Sequence, residues 1–171
     1  MSSAAALVRR AAGQLDLRVG RIVAARAHPD ADSLLIEEIE VGDEAPRQIV
    51  SALVGHVETE ELAGRTVAVL CNLKSSKMRG VLSEGMLLCA QNEKGNVALI
   101  EPPAAAQVGE RIGLSGDDAE PHRPHKRVAK LFSEAAAAMR TDKDGLALCG
   151  SEPFATSAGP CTATVREGII R

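Results

Sequence analysis

Across residues 15–114 apolar side chains come in short runs with partial alternation, the pattern of half-buried strands. "LDLRVGRIVAARAH" and "SLLIEEIEV" read as a hairpin across the polar turn "PDAD", where Pro29, Asp30 and Asp32 supply turn chemistry. "RQIVSALV" and "RTVAVLC" give a third and a fourth strand, with "ETEELAG" between them as a helical turn closed by Gly64. "SEGMLLCAQ" and "NVALIE" pair around the Gly-containing "NEKG", and "ERIGL" is a last short strand. So many short strands with so little helix predict a mainly β fold, a five-stranded Greek-key barrel rather than a doubly wound sheet.

Beyond residue 114 the pattern changes. "SGDDAEPHRPH" is polar, contains two prolines and reads as a linker. "KRVAKLFSEAAAAMR" then places Val128, Leu131, Phe132, Ala135 and Met139 at helical spacing on one apolar face. Asp144 and Gly145 end that region, and "LALC", "PFATS" and "CTATVREGII" look like short strands. The predicted organisation is a tail over residues 1–14, a barrel over 15–116 and a smaller α+β extension over 117–171, too small to stand alone and expected to pack on the barrel. The tail, "MSSAAALVRRAAGQ", is open to three readings: a helix, the trimmed end of a longer chain, or an organelle transit peptide.

Composition narrows the function. Phe132 and Phe154 are the only aromatic residues, so the core is aliphatic. A barrel that grips single strands by stacking bases on aromatic rings is therefore disfavoured, and recognition of folded RNA by shape and phosphates remains. A formal charge of -3 argues against a uniformly basic coat for nucleic acid and leaves room for a local basic patch. No apolar run is long enough to span a bilayer, so no membrane partner is expected. Cys71, Cys89, Cys149 and Cys161 form no C-x-x-C pair and have no His at zinc-ligand spacing. They read as reduced thiols of a cytoplasmic protein, and neither a metal nor another cofactor is expected.

The basic patch is in "NLKSSKMRGVLSEGMLLCA", residues 72–90, which gathers Lys74, Lys77 and Arg79. Charge alone leaves two readings, a solvated hairpin tip and a phosphate-binding loop in which Gly80 lets the backbone come close. Met78 favours binding, because a thioether between two cations can pack on a sugar or a base. Ser83 lacks a G-x-S-x-G context and is no nucleophile; with Met86 it suits a phosphate or ribose contact. "HRPHKR" is a second basic cluster in which Arg127 is a further phosphate ligand, with the start of a solvated helix as the alternative. His28 and His56 stand alone in polar turns and read as surface histidines.

"LDLRVGRI", "HPDADSLLIEEIEVGDEAPRQIVSALV" and "VLCNLKSSKMRGVLSEGMLLCA" resemble the tRNA-binding module of the endothelial monocyte-activating polypeptide II family. The resemblance implies an oligonucleotide-binding barrel and, by position, tRNA contacts at Asn72, Lys74, Lys77, Met78, Arg79, Ser83 and Met86. It implies a non-enzymatic module with tRNA as partner, serving a tyrosyl- or methionyl-tRNA synthetase or a multi-synthetase complex. "HKRVAKLF", "PFATS" and "GPCTATVREGII" resemble the family's eukaryotic extension, which imitates a dimer interface and implies a monomer. The family usually has Pro near Ser75 and Ser76, where this chain has two serines. Some members have a cytokine-like form attributed to a segment matching "RVGRIVA", residues 18–24. Here that segment departs at several positions and reads as a barrel strand, and a protein-interaction or signalling module stands separately as the alternative function.

Overall fold

The computed structural model describes residues 3–116 and 119–171. The tail is helical, as α1 (Ser3–Gly13), with Ala11 and Ala12 buried. β1 (Leu17–Ala27) and β2 (Leu35–Glu40) are the predicted hairpin, with Ile22 opposite Ile39 and Ala27 opposite Leu35. β3 (Arg47–Ser51) adds to β2, a 3-10 turn covers Thr59–Glu61, and β4 (Thr66–Leu70) pairs with the other edge of β1. β5 (Ser76–Met78) and β6 (Val81–Ser83) form a separate two-stranded arm. β7 (Met86–Leu87) completes a five-stranded sheet in the order β3-β2-β1-β4-β7.

This sheet curls into a nearly closed barrel, in which β3 and β7 lie against each other. The segment after the arm makes the seam. Glu84 N–H donates to the Gln48 carbonyl at 2.8 Å, and side chains answer two β3 amides: Val50 N–H donates to Ser83 Oγ at 3.0 Å and Gln48 N–H to Glu84 Oε1 at 3.1 Å. An edge strand presents unpaired N–H groups that need acceptors. Here a hydroxyl and a carboxylate supply two of them.

β8 (Cys89–Gln91) and β9 (Val97–Leu99) open a second sheet that the extension continues. α2 (Arg127–Ala136) is followed by β10 (Met139–Thr141), β11 (Ala147–Cys149), β12 (Glu152–Pro153), β13 (Ala155–Thr156), β14 (Gly159–Pro160) and β15 (Ile169–Ile170). The order β12-β11-β10-β15-β8-β9 joins the two segments through β15 and β8. α1 packs on α2 beside it.

Two large apolar cores result, with a small third cluster of Leu34, Ile36 and Val50 under the arm. Ile22, Ile39, Ile49, Val67 and Val69 fill the barrel, while Leu17, Val19, Leu70, Leu88, Val128, Leu131 and Phe154 form a second core between barrel and extension. β4 shows why "TVAVL" is continuously apolar: Val67 and Val69 point into the barrel and Ala68 and Leu70 into the other core, so both faces are buried. At Gly20 a Cβ would stand 2.8 Å from methyl carbons of both Ile39 and Val69, so only glycine lets β1 pass so close across the interior.

Two expectations change. The helix ends at Ala136, and Met139, 2% exposed, reaches the second core from β10 instead. "ERIGL" makes isolated bridges only, because its backbone bonds alternately to β1 on one side and to Ala155 on the other.

Candidate nucleic-acid interface

The arm turns at Arg79 and Gly80, with φ of 52° and 86°, between the paired residues Met78 and Val81. A two-residue hairpin with both φ positive is the turn that Asn-Gly or Gly-Gly makes most easily. Arginine there costs on the order of 1 kcal/mol in backbone strain. Alternation then sorts the arm's faces. Lys77 and its partner Leu82 point outward and are exposed, whereas Met78 and Val81 are half-buried against Leu34, Ile36 and Val50.

Met78 thus anchors the arm as well as lining its inner side. Its carbonyl accepts from His28 Nε2 at 3.0 Å, and Asp30 N–H donates to the other ring nitrogen, Nδ1, at 3.0 Å. The proton on Nε2 follows, since Nδ1 is an acceptor here. His28 is 5% exposed, so its reading as a surface histidine is corrected: the turn folds it inward to hold the arm. His56 is exposed.

Asn72 is 1% exposed. Its Nδ2 donates to the carbonyls of Gln14 at 3.0 Å and His122 at 2.8 Å, and its Oδ1 accepts from Asp16 N–H at 3.1 Å. Ser83 is 5% exposed, and its hydroxyl accepts from Val50 and donates to the Gly85 carbonyl at 3.0 Å. Both side chains, expected as direct contacts, are thus buried with their hydrogen-bonding groups engaged inside the protein. Met86 is half-buried and lines a groove of about 500 Å³ between arm and barrel, together with Met78, Leu53 and Leu87.

Lys74 is brought beside the second basic cluster. Leu73 bridges His125 in parallel, and Asn72 holds His122, so the segment before α2 lies along the loop. Arg123, Lys126, Arg127 and Lys130 are exposed there. Cations at the start of a helix oppose its dipole, and together they make a place that attracts anions. His125 Nδ1 accepts from Arg127 N–H at 3.1 Å and so caps one helix-start amide. Among the described residues the ion pairs involve Arg9, Arg18, Arg47 and Arg65, and none of Lys74, Lys77, Arg79, Lys126, Arg127 and Lys130.

Beneath the loop lies a set of paired charges that sequence reading missed. Arg47 donates to the carbonyls of Cys71 at 2.6 Å and Glu84 at 3.1 Å, pinning both ends of the segment that carries the arm. It also pairs with Asp43, which pairs in turn with Arg18. These bonds, Arg47 first, hold the Asp43 carboxyl below its usual range. In the sequence Arg47 is one cation at the head of a strand, and nothing local marks it. Burial pushes the thiols of Cys71, Cys89 and Cys161 up to about 12 and that of Cys149 to about 11, which removes them as nucleophiles at neutral pH. Among the described residues no group of three or more His, Cys, Asp or Glu is placed to hold a metal ion, and no helix is long and apolar enough to cross a membrane.

A family model described as "Putative tRNA binding domain" matches residues 17–111, more than half of the chain. The chain belongs to this family. Asn72, Lys74, Lys77, Met78, Arg79, Ser83 and Met86 lie within the matched residues, and Arg127 lies outside them. The chain is 45% identical over 160 residues to a probable methionine–tRNA ligase of Oryza sativa subsp. japonica, covering 92% of this chain and 20% of that protein. It is 44% identical over 160 residues to the cytoplasmic tyrosine–tRNA ligase of Xenopus tropicalis, covering 91% and 30%. The chain therefore spans less than a third of the length of these relatives. The crystal structure of the C-terminal domain of Plasmodium vivax p43 superimposes with a TM-score of 0.84 at 30% identity, over 93% of this chain and 98% of that one. That domain thus shares barrel and extension with this chain, whereas the family model ends within the barrel.

Proposed function

We propose that the chain is a non-catalytic tRNA-binding module that docks on the folded body of tRNA with little sequence preference. It raises the local tRNA concentration at an aminoacyl-tRNA synthetase, tyrosyl or methionyl, or at a multi-synthetase complex in the cytoplasm. One observation carries the reading: Lys74, Lys77, Arg79 and Arg127 are exposed, outside the ion pairs, and drawn from distant parts of the chain to neighbouring segments by the contacts of Asn72 and Leu73. Phosphates are the partner such a set suits, and folded RNA presents them in fixed geometry. Asn72 and Ser83 hold the loop and the arm in place, and Met78 and Met86 add apolar contact.

The barrel of residues 15–116 carries the loop, and the extension of 117–171 adds Arg127 and covers the outer face of β4. With that face covered from within the chain, the module binds as a monomer. If three phosphates are contacted, a fourfold rise in salt weakens binding roughly twenty- to fortyfold. The test is Lys77→Ala with Arg79→Ala in a tRNA gel shift. A loss of about tenfold or more in affinity with unchanged melting is expected. Unchanged tRNA binding would leave the protein-interaction or signalling module as the better account.

A further inference from the structure

The groove between arm and barrel has features that phosphate binding leaves unused. Its volume of about 500 Å³ lies in the range of small-molecule sites, about 300–1,000 Å³. Leu53, Met78, Met86 and Leu87 give it apolar walls, and the two thioethers can pack on a flat ring where the lining holds no Phe, Tyr or Trp. Ser51 gives the lining a polar point that is oriented from within. It donates its hydroxyl hydrogen to Glu37 Oε1, so towards a ligand it offers lone pairs only. Glu37 is completely buried on β2, and among the described residues its Oε2 has no hydrogen-bond partner. Negative polarity therefore stands behind Ser51, and a donor of N–H is the ligand group that suits it. One cation lines the groove: Arg171, held there by Gln91.

We propose that the groove takes one unpaired nucleobase of the bound RNA, with Ser51, oriented by Glu37, accepting a hydrogen bond from its exocyclic amino group. Adenine, cytosine and guanine each carry an exocyclic amino group, and uracil has only carbonyls at its exocyclic positions. A phosphate beside the inserted base falls to Arg171. The methionines replace the stacking platform that single-strand binders build from aromatic rings. This inference rests on the RNA-binding reading above and adds to it a preference that phosphates cannot supply.

The probes are fluorescein-labelled RNA hairpins of one stem and one phosphate count, each with a single-nucleotide bulge of A, C or U, titrated at pH 8 by anisotropy. The A and C bulges are expected to bind about five- to tenfold tighter than U, the worth of one buried hydrogen bond. Ser51→Ala is expected to level the three while leaving the salt dependence unchanged. Equal binding of A, C and U by the wild type overturns the proposal, and so does a preference that survives in folded Ser51→Ala. If Ser51→Ala does not fold, Ala52→Leu serves instead: this exposed lining residue narrows the groove without touching Glu37, and a preference that survives it overturns the proposal. An apolar peptide bound in the groove, blocked by Ala52→Leu and indifferent to Ser51→Ala, would replace the nucleobase as occupant. Failure here with tRNA binding still lost in the Lys77 and Arg79 variant removes the base pocket alone; tRNA binding retained in that variant removes the RNA reading itself.

Discussion

The two faces of the arm use polar residues in opposite ways. Outward, Lys74, Lys77 and Arg79 are exposed and stand outside the ion pairs. Inward, His28, Ser83 and Asn72 are buried, and their polar atoms are hydrogen-bonded to the chain. An exposed cation contributes little to folding, so its removal changes what binds and leaves stability almost untouched. A buried, fully bonded polar group is the reverse, because removing it orphans its partners. On the proposed function, contact and placement fall to different residues, and each side of that division can be broken separately.

The largest effect is expected deepest in the interior, at Glu37. Burial raises its carboxyl to about 7, against the opposing hydrogen bond from Ser51. Below about 4.5 the group is protonated in folded and unfolded chains alike, and its contribution to stability is complete; it is lost as pH rises through 7, where the folded chain must carry a buried charge. Glu37→Gln should therefore stabilise the protein by about 3 kcal/mol at pH 8 and flatten the decline between pH 4.5 and 7, read by urea titration across pH. A parallel decline in the variant would show that the carboxyl is not the cause.

Asn72→Ala comes next. It leaves Asp16 N–H and two carbonyls without their partner, so a loss of about 2 kcal/mol in unfolding free energy is expected. tRNA affinity should fall with it even though Asn72 is buried, because Lys74 and Arg127 lose their common anchor. On the outer side, Lys126→Ala with Arg127→Ala should leave the melting temperature in place, weaken tRNA severalfold and lower the slope of affinity against salt by about 1 to 2. A slope unchanged from the wild type would confine the interface to the barrel. The smallest effect, Arg79→Asn, sharpens the contrast most: asparagine suits the positive φ of the turn, so stability should rise by about 0.5–1 kcal/mol while affinity drops. If both rise together, the guanidinium is not a contact.

Much of this was legible in the chain. The hairpin of residues 15–41, the arm cations and the helix after the linker follow from alternation, turn residues and helical spacing, all local signals. The inner side of the site was not legible. His28 looked like a surface histidine because its partner, the Met78 carbonyl, lies 50 positions away. Arg47 gave no signal because what it grips are carbonyls at 71 and 84. Ser83 and Asn72 stood out as polar residues near cations, and their burial is visible only in the folded chain.

By itself the sequence determined where most strands and helices form, that the core is aliphatic, and that two basic clusters stand in the segments 74–79 and 122–127, because propensity, patterning and composition act along the chain. Tertiary structure decided that the two clusters adjoin, that β4 is buried on both faces, and which polar side chains face inward. Those outcomes depend on hydrogen bonds and packing between residues tens of positions apart, and the closure that brings such residues together is written in no single stretch of the chain.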